Sequence, residues 1–366
     1  MSLTRPTVTQ HIPAGGPGHM TSTPWYQQCG MRIYEHGAAA NIFVPPLLLV
    51  FLCLSPAQRG MWIVGLLLLI AYQKSTTGST KSKGKKLQPY LHICLPMYFA
   101  SLVLCAALET WPLRKTVPAV LTLIVGKVGL MSVCLHRYAA HGAFKCGPVT
   151  NACLCFFGCL SNQGGPIWWG SKHRCHHSRC DKEDDPHSPA MAGVIDAFQF
   201  HTLNQHKDVD QQFRPTHCDG FVPRLIDTFS FVPVTLELVL SFLLGGPLAL
   251  WLSYVSGWMS QTLALWFNVA NHPPVQKQEK GKCVSSDSSV WLFAEEHVAS
   301  MAPNALFAFF NHFMWVAQLT GEAEHDHHHT HSALAIRPGV DLPYHLMVRP
   351  LRAAGLVWNV KLPRLE

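Results

Sequence analysis

Apolar and polar positions alternate along the chain in long blocks. Four apolar runs stand out: Tyr90–Trp111, Val117–Leu135, Phe229–Leu244 and Pro247–Phe267. Each approaches the ~20 residues that an α-helix needs to cross a ~30 Å hydrocarbon layer. They come in two tight pairs, joined by "PLRKT" (112–116) and by "GGP" at Gly246, so each pair predicts a helical hairpin that returns the chain to its starting side. All the long polar segments then share one side. Lys127 and Glu237 interrupt two of the runs. Two shorter runs, Phe43–Leu54 and Met61–Tyr72, are split by "SPAQRG" and predict an interfacial or re-entrant hairpin.

Composition agrees with a membrane protein. Charged residues make up 13% of the 366 positions, about half the ~25% usual for soluble domains. The alternative is a soluble protein with buried apolar helices; the pairing of the four runs argues against it. Lys74, Lys81, Lys83, Lys85 and Lys86 precede the first hairpin, and the positive-inside rule assigns that side to the cytosol. The net charge of +7 is accordingly read as topology and attraction to anionic lipid, with no nucleic-acid partner. Residues 1–89 form an N-terminal extension, disordered or targeting at first, then the short apolar hairpin and the lysine-rich linker. The 13 cysteines include no C-x-x-C and read as reduced, buried thiols.

The 22 histidines carry the candidate chemistry. His136 and His141 ("HRYAAH") follow the second apolar run, and His173, His176 and His177 ("HRCHH") lie in the polar stretch beyond. His272 ("NVANH") follows the fourth run, and "GEAEHDHHHTHSA" (321–333) ends the series. An even number of crossings separates these groups, so all of them emerge on one face. H-x-x-H-H puts its histidines at i, i+3 and i+4, one face of a helix, and occurs twice: His173/His176/His177 and His325/His328/His329. Two such tripods with His136 and His141 would surround one or two metal ions, and imidazole suits iron, zinc, copper or nickel. His327 and His331 fall out of that register. Asp181, Asp184, Asp185, Glu322 and Asp326 are the candidate carboxylates for the free ring N–H groups. A histidine-rich run by itself also fits a membrane zinc-binding or transport protein.

The three histidine motifs and their context resemble the membrane-bound fatty acyl desaturases, in the delta-9 (stearoyl-CoA desaturase-like) branch. "GGPIWWGSKHRCHHSRCDKEDDPHSP" (164–189) is similar to that family's tryptophan-flanked second box, and "GLVWNV" (355–360) to its C-terminal tail. The resemblance spans roughly residues 90–362. It implies an all-α membrane domain of four transmembrane helices in two hairpins, with a cytosolic helical cap and a kinked acyl tunnel. It also implies a two-iron centre held by His136, His141, His173, His176, His177, His272, His325, His328 and His329, with Asn268 acting through a metal-bound water. Asp185, Glu322 and Asp326 would support the ligands. The implied activity is O2-dependent insertion of a cis double bond into a saturated chain carried as acyl-CoA or acyl-lipid. Electrons would come from cytochrome b5 or ferredoxin, docking near Lys172, Arg174, Arg179 and Lys182. The endoplasmic reticulum membrane is the implied location, a plastid membrane the alternative. A hydroxylase using the same boxes is the competing activity.

Two features depart from that family's pattern. Ala323, Glu324 and Asp326 replace a glycine, an aromatic and an asparagine in the third box, and "QKQEKGKCVSSDSS" (276–289) adds a polar segment read as a surface loop. The apolar faces from Val125 to Leu135 and from Leu263 to Phe267 are the expected tunnel walls.

Overall fold

The computed structural model describes residues 113–182, 212–272 and 313–363, with the isolated positions 56–57, 59–60, 63–64, 185, 188–189 and 285. The expected span 90–111, nearly all of the 1–89 extension and nearly all of the 276–289 loop lie outside the described residues.

The described chain is almost wholly helical. Helix α1 (Leu113–Leu130) continues without a break into a π-helix, Met131–Ala140. Helix α2 (Pro148–Cys159) and helix α3 (Pro166–Arg179) each begin with proline at the first turn, where its missing N–H costs nothing. A short helix α4 (Phe221–Thr228) precedes the long α5 (Phe231–Asn271). Helices α6 (Trp315–Leu319), α7 (His325–Thr330) and α8 (Arg349–Ala353) complete the set. Strand β1 (Lys145–Cys146) pairs antiparallel with β2 (Val357–Trp358), which ties the C-terminal segment back to the end of α1.

Helices α1 and α5 are both long and apolar enough to cross a membrane. Gly246 breaks α5 with φ 67° and ψ −160°, a conformation essentially reserved for glycine. The break reverses the chain. Ser253 Oγ donates to Glu237 Oε1, whereas in one straight helix those residues would stand about 24 Å apart along the axis. The runs 229–244 and 247–267 therefore form the two arms of a hairpin.

The charged residues that interrupt the apolar runs meet each other. Lys127 Nζ on α1 lies 2.6 Å from Glu237 Oε2 on α5 and donates at 3.0 Å to the Leu160 carbonyl. Either charge alone would be costly at membrane depth, and the bonds from Lys127 and Ser253 compensate Glu237. Around this pair, Ile124 and Val128 of α1 and Met131 and Leu135 of the π-helix pack on Leu250, Tyr254, Trp258, Leu263 and Trp266 of α5. In the opposite direction, Leu236, Leu240, Leu243 and Leu244 on the first arm of α5 are exposed, an apolar surface compatible with lipid contact.

A second core closes the polar end. Val133, Tyr138, Phe144, Leu154, Val348 and Val357 are buried together. Gly158 lets α2 approach α1 closely: a Cβ there would stand 2.7 Å from Leu135 Cδ2.

Candidate metal centre

The π-helix makes "HRYAAH" usable. In a regular α-helix residues i and i+5 point about 140° apart, whereas the wider π-turn, closed here by His141 N–H donating to the His136 carbonyl, brings both rings to one side. Helix α3 adds His173, His176 and His177, and its N-terminus is anchored by Asp227, whose Oδ1 accepts from Ile167 N–H (2.8 Å) and Trp168 N–H (2.9 Å). The indole of Trp169 stacks on His173, with ring centres 4.8 Å apart. His272 caps the C-terminal end of α5, and α7 supplies His325, His328 and His329.

These nine rings divide into two groups. His136, His141, His173, His177 and His328 direct one nitrogen each to a common point, with the nitrogens within 4.8 Å of one another. Neighbouring Nε2 atoms are 2.9 Å apart for His136–His328, 2.8 Å for His177–His328, 2.9 Å for His173–His177 and 3.0 Å for His141–His173. In the second group, His272 Nε2 lies 3.2 Å from His176 Nε2 and 2.9 Å from His325 Nε2, and His325 Nε2 lies 3.2 Å from His329 Nε2. The groups adjoin where the rings of His177 and His329 stack at 4.4 Å. Each H-x-x-H-H tripod is thus split between the two groups instead of closing on one ion: α3 gives His173 and His177 to the first and His176 to the second, and α7 gives His328 to the first and His325 and His329 to the second.

The spacing fits metal ions. Metal–imidazole bonds are about 2.0–2.1 Å, so two rings at a right angle about a shared ion place their nitrogens ~3.0 Å apart. The observed separations of 2.8 to 3.2 Å cluster around that value. Burial, reinforced by the neighbouring imidazoles, holds His141, His173, His177 and His325 well below the usual histidine range. Burial and the Arg337 charge do the same for His328. These rings are neutral, with lone pairs free to bind a cation.

Carboxylates hold two of these rings from behind. Glu322 Oε2 accepts from His136 Nδ1 at 2.8 Å, and Asp185 Oδ1 from His176 Nδ1 at 2.9 Å. Burial by itself would raise the Glu322 carboxyl, but His136, Arg137 and Arg337 outweigh it and bring it to about 2. Ser132 Oγ also donates to Glu322, while the buried Arg137 donates to Asp341 Oδ2 (2.8 Å) and to the Ala335 and Thr320 carbonyls. Gly321, at φ +70°, is needed here, since a Cβ would stand 2.8 Å from the Arg137 guanidinium. Ser132, Arg137 and Asp341 were not among the expected site residues. The one signal available for them was an arginine inside an otherwise apolar helix end, which demands a buried partner.

Three expectations are corrected. Asp326 does not face the rings: it is exposed, and its Oδ1 accepts from Ser285 Oγ at 2.9 Å. Lys172 is 1% exposed and offers no docking surface, while Arg174 and Arg179 are half-buried and Lys182 is exposed. The reduced state expected of the cysteines holds at Cys134, Cys146, Cys153, Cys155, Cys159, Cys175 and Cys218 and fails at Cys180, which is disulfide-bonded. Cys180 Sγ lies 3.9 Å from His272 Nδ1. His327 and His331 lie outside both groups, stacked on each other at 4.6 Å.

A pocket opens onto the histidines. His136, His173 and His325 form its histidine end, and Val128, Met131, Leu263, Ala264, Phe267, Phe313 and Val316 form much of its wall. Val128 stands eight residues before His136, so the pocket runs on the order of 12 Å down between α1 and α5. Asn268 lines it beside the second group and donates to the Ala264 carbonyl at 3.3 Å.

No family model matches the chain. Among curated proteins, it is 28% identical over 250 residues to a hex-5-enoyl-[acyl-carrier protein] acetylenase of Moorena producens (strain JHB), covering 64% of this chain and 73% of that protein. It is 28% identical over 258 residues to a chloroplastic palmitoyl-monogalactosyldiacylglycerol delta-7 desaturase of Arabidopsis thaliana, covering 66% of this chain but only 61% of the relative. An sn-1 stearoyl-lipid 9-desaturase of Anabaena variabilis is 27% identical over 248 residues, 65% of this chain and 80% of the relative. These similarities support a relationship to the fatty acid desaturases. Fatty acid desaturases are oxidoreductases, and the two long apolar helices and the histidine groups among the described residues are compatible with a membrane-associated, metal-binding enzyme of that kind.

Proposed function

We propose that this protein is an O2-dependent acyl desaturase that introduces a cis double bond, at the delta-9 position, into a saturated fatty acyl chain by means of two irons. The observation that carries the reading is the contact between the two histidine groups and the apolar pocket: His136, His173 and His325 belong to both. His136, His141, His173, His177 and His328 would hold one iron, and His176, His272, His325 and His329 the other, and Asn268 would act through a water. The donor set of neutral imidazoles fits iron. Iron with O2 supplies the oxidising power that an unactivated C–H bond requires, which no side chain does. Overall, –CH2–CH2–, O2, two electrons and two protons give –CH=CH– and two waters.

The protein's own residues do the rest. The pocket wall orients a hydrocarbon chain so that one pair of carbons lies at the histidine end, and that placement sets the bond position. Trp169 fixes the His173 ring, Glu322 and Asp185 fix His136 and His176, and the packed apolar wall excludes water. The relatives are named for delta-7, delta-9 and other positions and for lipid-, CoA- and carrier-protein-bound chains; the delta-9 assignment rests on the sequence resemblance. We take the enzyme to be a four-span membrane protein of the endoplasmic reticulum, reduced by cytochrome b5 or a ferredoxin, acting on acyl-CoA or acyl-lipid.

The test is expression in a desaturase-deficient host with electron carriers, feeding saturated acyl chains and locating double bonds by mass spectrometry. A cis monounsaturated product at delta-9 is expected. A hydroxy acid, or unchanged fatty acids with the protein present in the membrane, contradicts the reading.

A further inference from the structure

Two histidines of the densest histidine stretch are left over from the metal groups. Helix α7 directs His325, His328 and His329 to those groups, while His327 is half-buried and His331, at the helix C-cap, is exposed. His327 and His331 are four residues apart, so their side chains meet on one face of the turn. Their ring centres lie 4.6 Å from each other. The i, i+4 pairs that belong to a single metal group have the same separation: 4.6 Å for His173–His177 and 4.7 Å for His325–His329.

The outer pair is also held in position. The His331 N–H donates to the His327 carbonyl at 2.8 Å, and Arg337 Nη1 donates to the His331 carbonyl at 3.2 Å. Thr330 Oγ1 donates its single proton to the His327 carbonyl at 2.9 Å, so toward His331 Nδ1, also 2.9 Å away, it acts as acceptor. That assignment puts the ring proton of His331 on Nδ1 and the lone pair on Nε2. A hydrogen bond at the rear nitrogen is what orients a ligating imidazole. Closing on an ion asks the exposed ring to tilt out of its near-parallel stack, at 20°, toward the steeper angles of the two ligand pairs, 68° and 75°.

We propose that His327 and His331 form a third metal site, separate from both histidine groups, for a divalent transition-metal ion suited to imidazole, such as Ni2+, Cu2+ or Zn2+. Water completes its coordination. A chelate between residues i and i+4 forms only while the turn between them is helical. Helix α7 has six residues, too few to be stable by itself, and three of the six belong to the metal groups. An ion clasped across its last turn favours the helical state by mass action and so keeps those three rings in place. The site stands on the geometry of the pair; its effect on iron rests on the two-iron reading.

Equilibrium dialysis against Ni2+ tests this with the full-length, tag-free, iron-loaded protein in lipid nanodiscs, both metals being counted by mass spectrometry. The wild type is expected to take up one nickel more per chain than His327→Gln or His331→Gln, with two irons kept in all three proteins; either variant suffices if the other does not accumulate. Iron release to a chelator selective for Fe2+ is then followed with and without Ni2+. At a nickel concentration about 100 times the dissociation constant, release from the wild type should slow by up to about a hundredfold, the factor that mass action allows. Release from the variants should not change. Equal nickel uptake by wild type and variants overturns the site. The extra nickel with unchanged iron release overturns the clasp on α7. Fewer than two irons in the wild type, with the nickel difference intact, counts against the two-iron reading and leaves the site standing.

Discussion

At the scale of single residues, the structure separates side chains that look interchangeable in the sequence. Glu322 and Asp326 flank the same histidine, yet Glu322 is buried against His136 Nδ1 while Asp326 is exposed and bonded to Ser285. A carboxylate behind a ligand ring fixes its tautomer and orientation, and losing one typically costs 10–100-fold in metal affinity. Glu322→Ala should therefore weaken iron binding by about that factor and Asp326→Ala should leave it nearly unchanged, as measured by competition with a chelator. The same distinction applies to the histidines. His176→Ala is expected to abolish desaturation in cells, and His331→Ala to reduce it little, because His176 is in the second group and His331 stacks on His327 outside both. Equal effects of the two would remove the ligand assignment.

At the scale of elements, much was legible and some was not. The i, i+3, i+4 spacing marked the histidines of α3 and α7 that the fold brings together, because helical geometry maps sequence directly onto one face. The division of each tripod between two groups was not legible, since it depends on how α3, α7 and the end of α5 are packed against each other. The H-x-x-x-x-H after α1 pointed to a helix but not to the π-turn that aligns His136 with His141. Lys127 and Glu237 blurred the limits of two runs when read separately; their pairing at 2.6 Å shows them as the polar link between those helices. The hairpin expected at "GGP" is present, and Gly246 carries it. Gly246→Ala has open space for a methyl group, so its cost is purely conformational, on the order of 1–3 kcal/mol. A lowered thermal midpoint in detergent with iron content retained per folded chain would register that cost; an unchanged midpoint would mean that the turn adopts another backbone.

At the scale of the whole molecule, the histidine groups govern response to pH. His141, His173, His177, His325 and His328 have lowered folded-state pKa values, so below ~6.5 the unfolded chain binds protons that the folded chain does not. Glu322, held at about 2, adds a second loss between its unfolded value of ~4.3 and that figure. Both act in the same direction. The metal-free protein should lose stability steadily as pH falls from 7 to 4, seen as a falling unfolding midpoint, and a midpoint independent of pH would contradict neutral buried rings. With metal bound, protons compete for the same nitrogens, so iron is expected to be released below about pH 6. The account as a whole stands on two metal positions built from separate sets of rings, and metal analysis of the purified, iron-supplied protein tests it most directly. Two irons per chain are predicted; one metal ion per chain, or zinc retained in preference to iron, would contradict it.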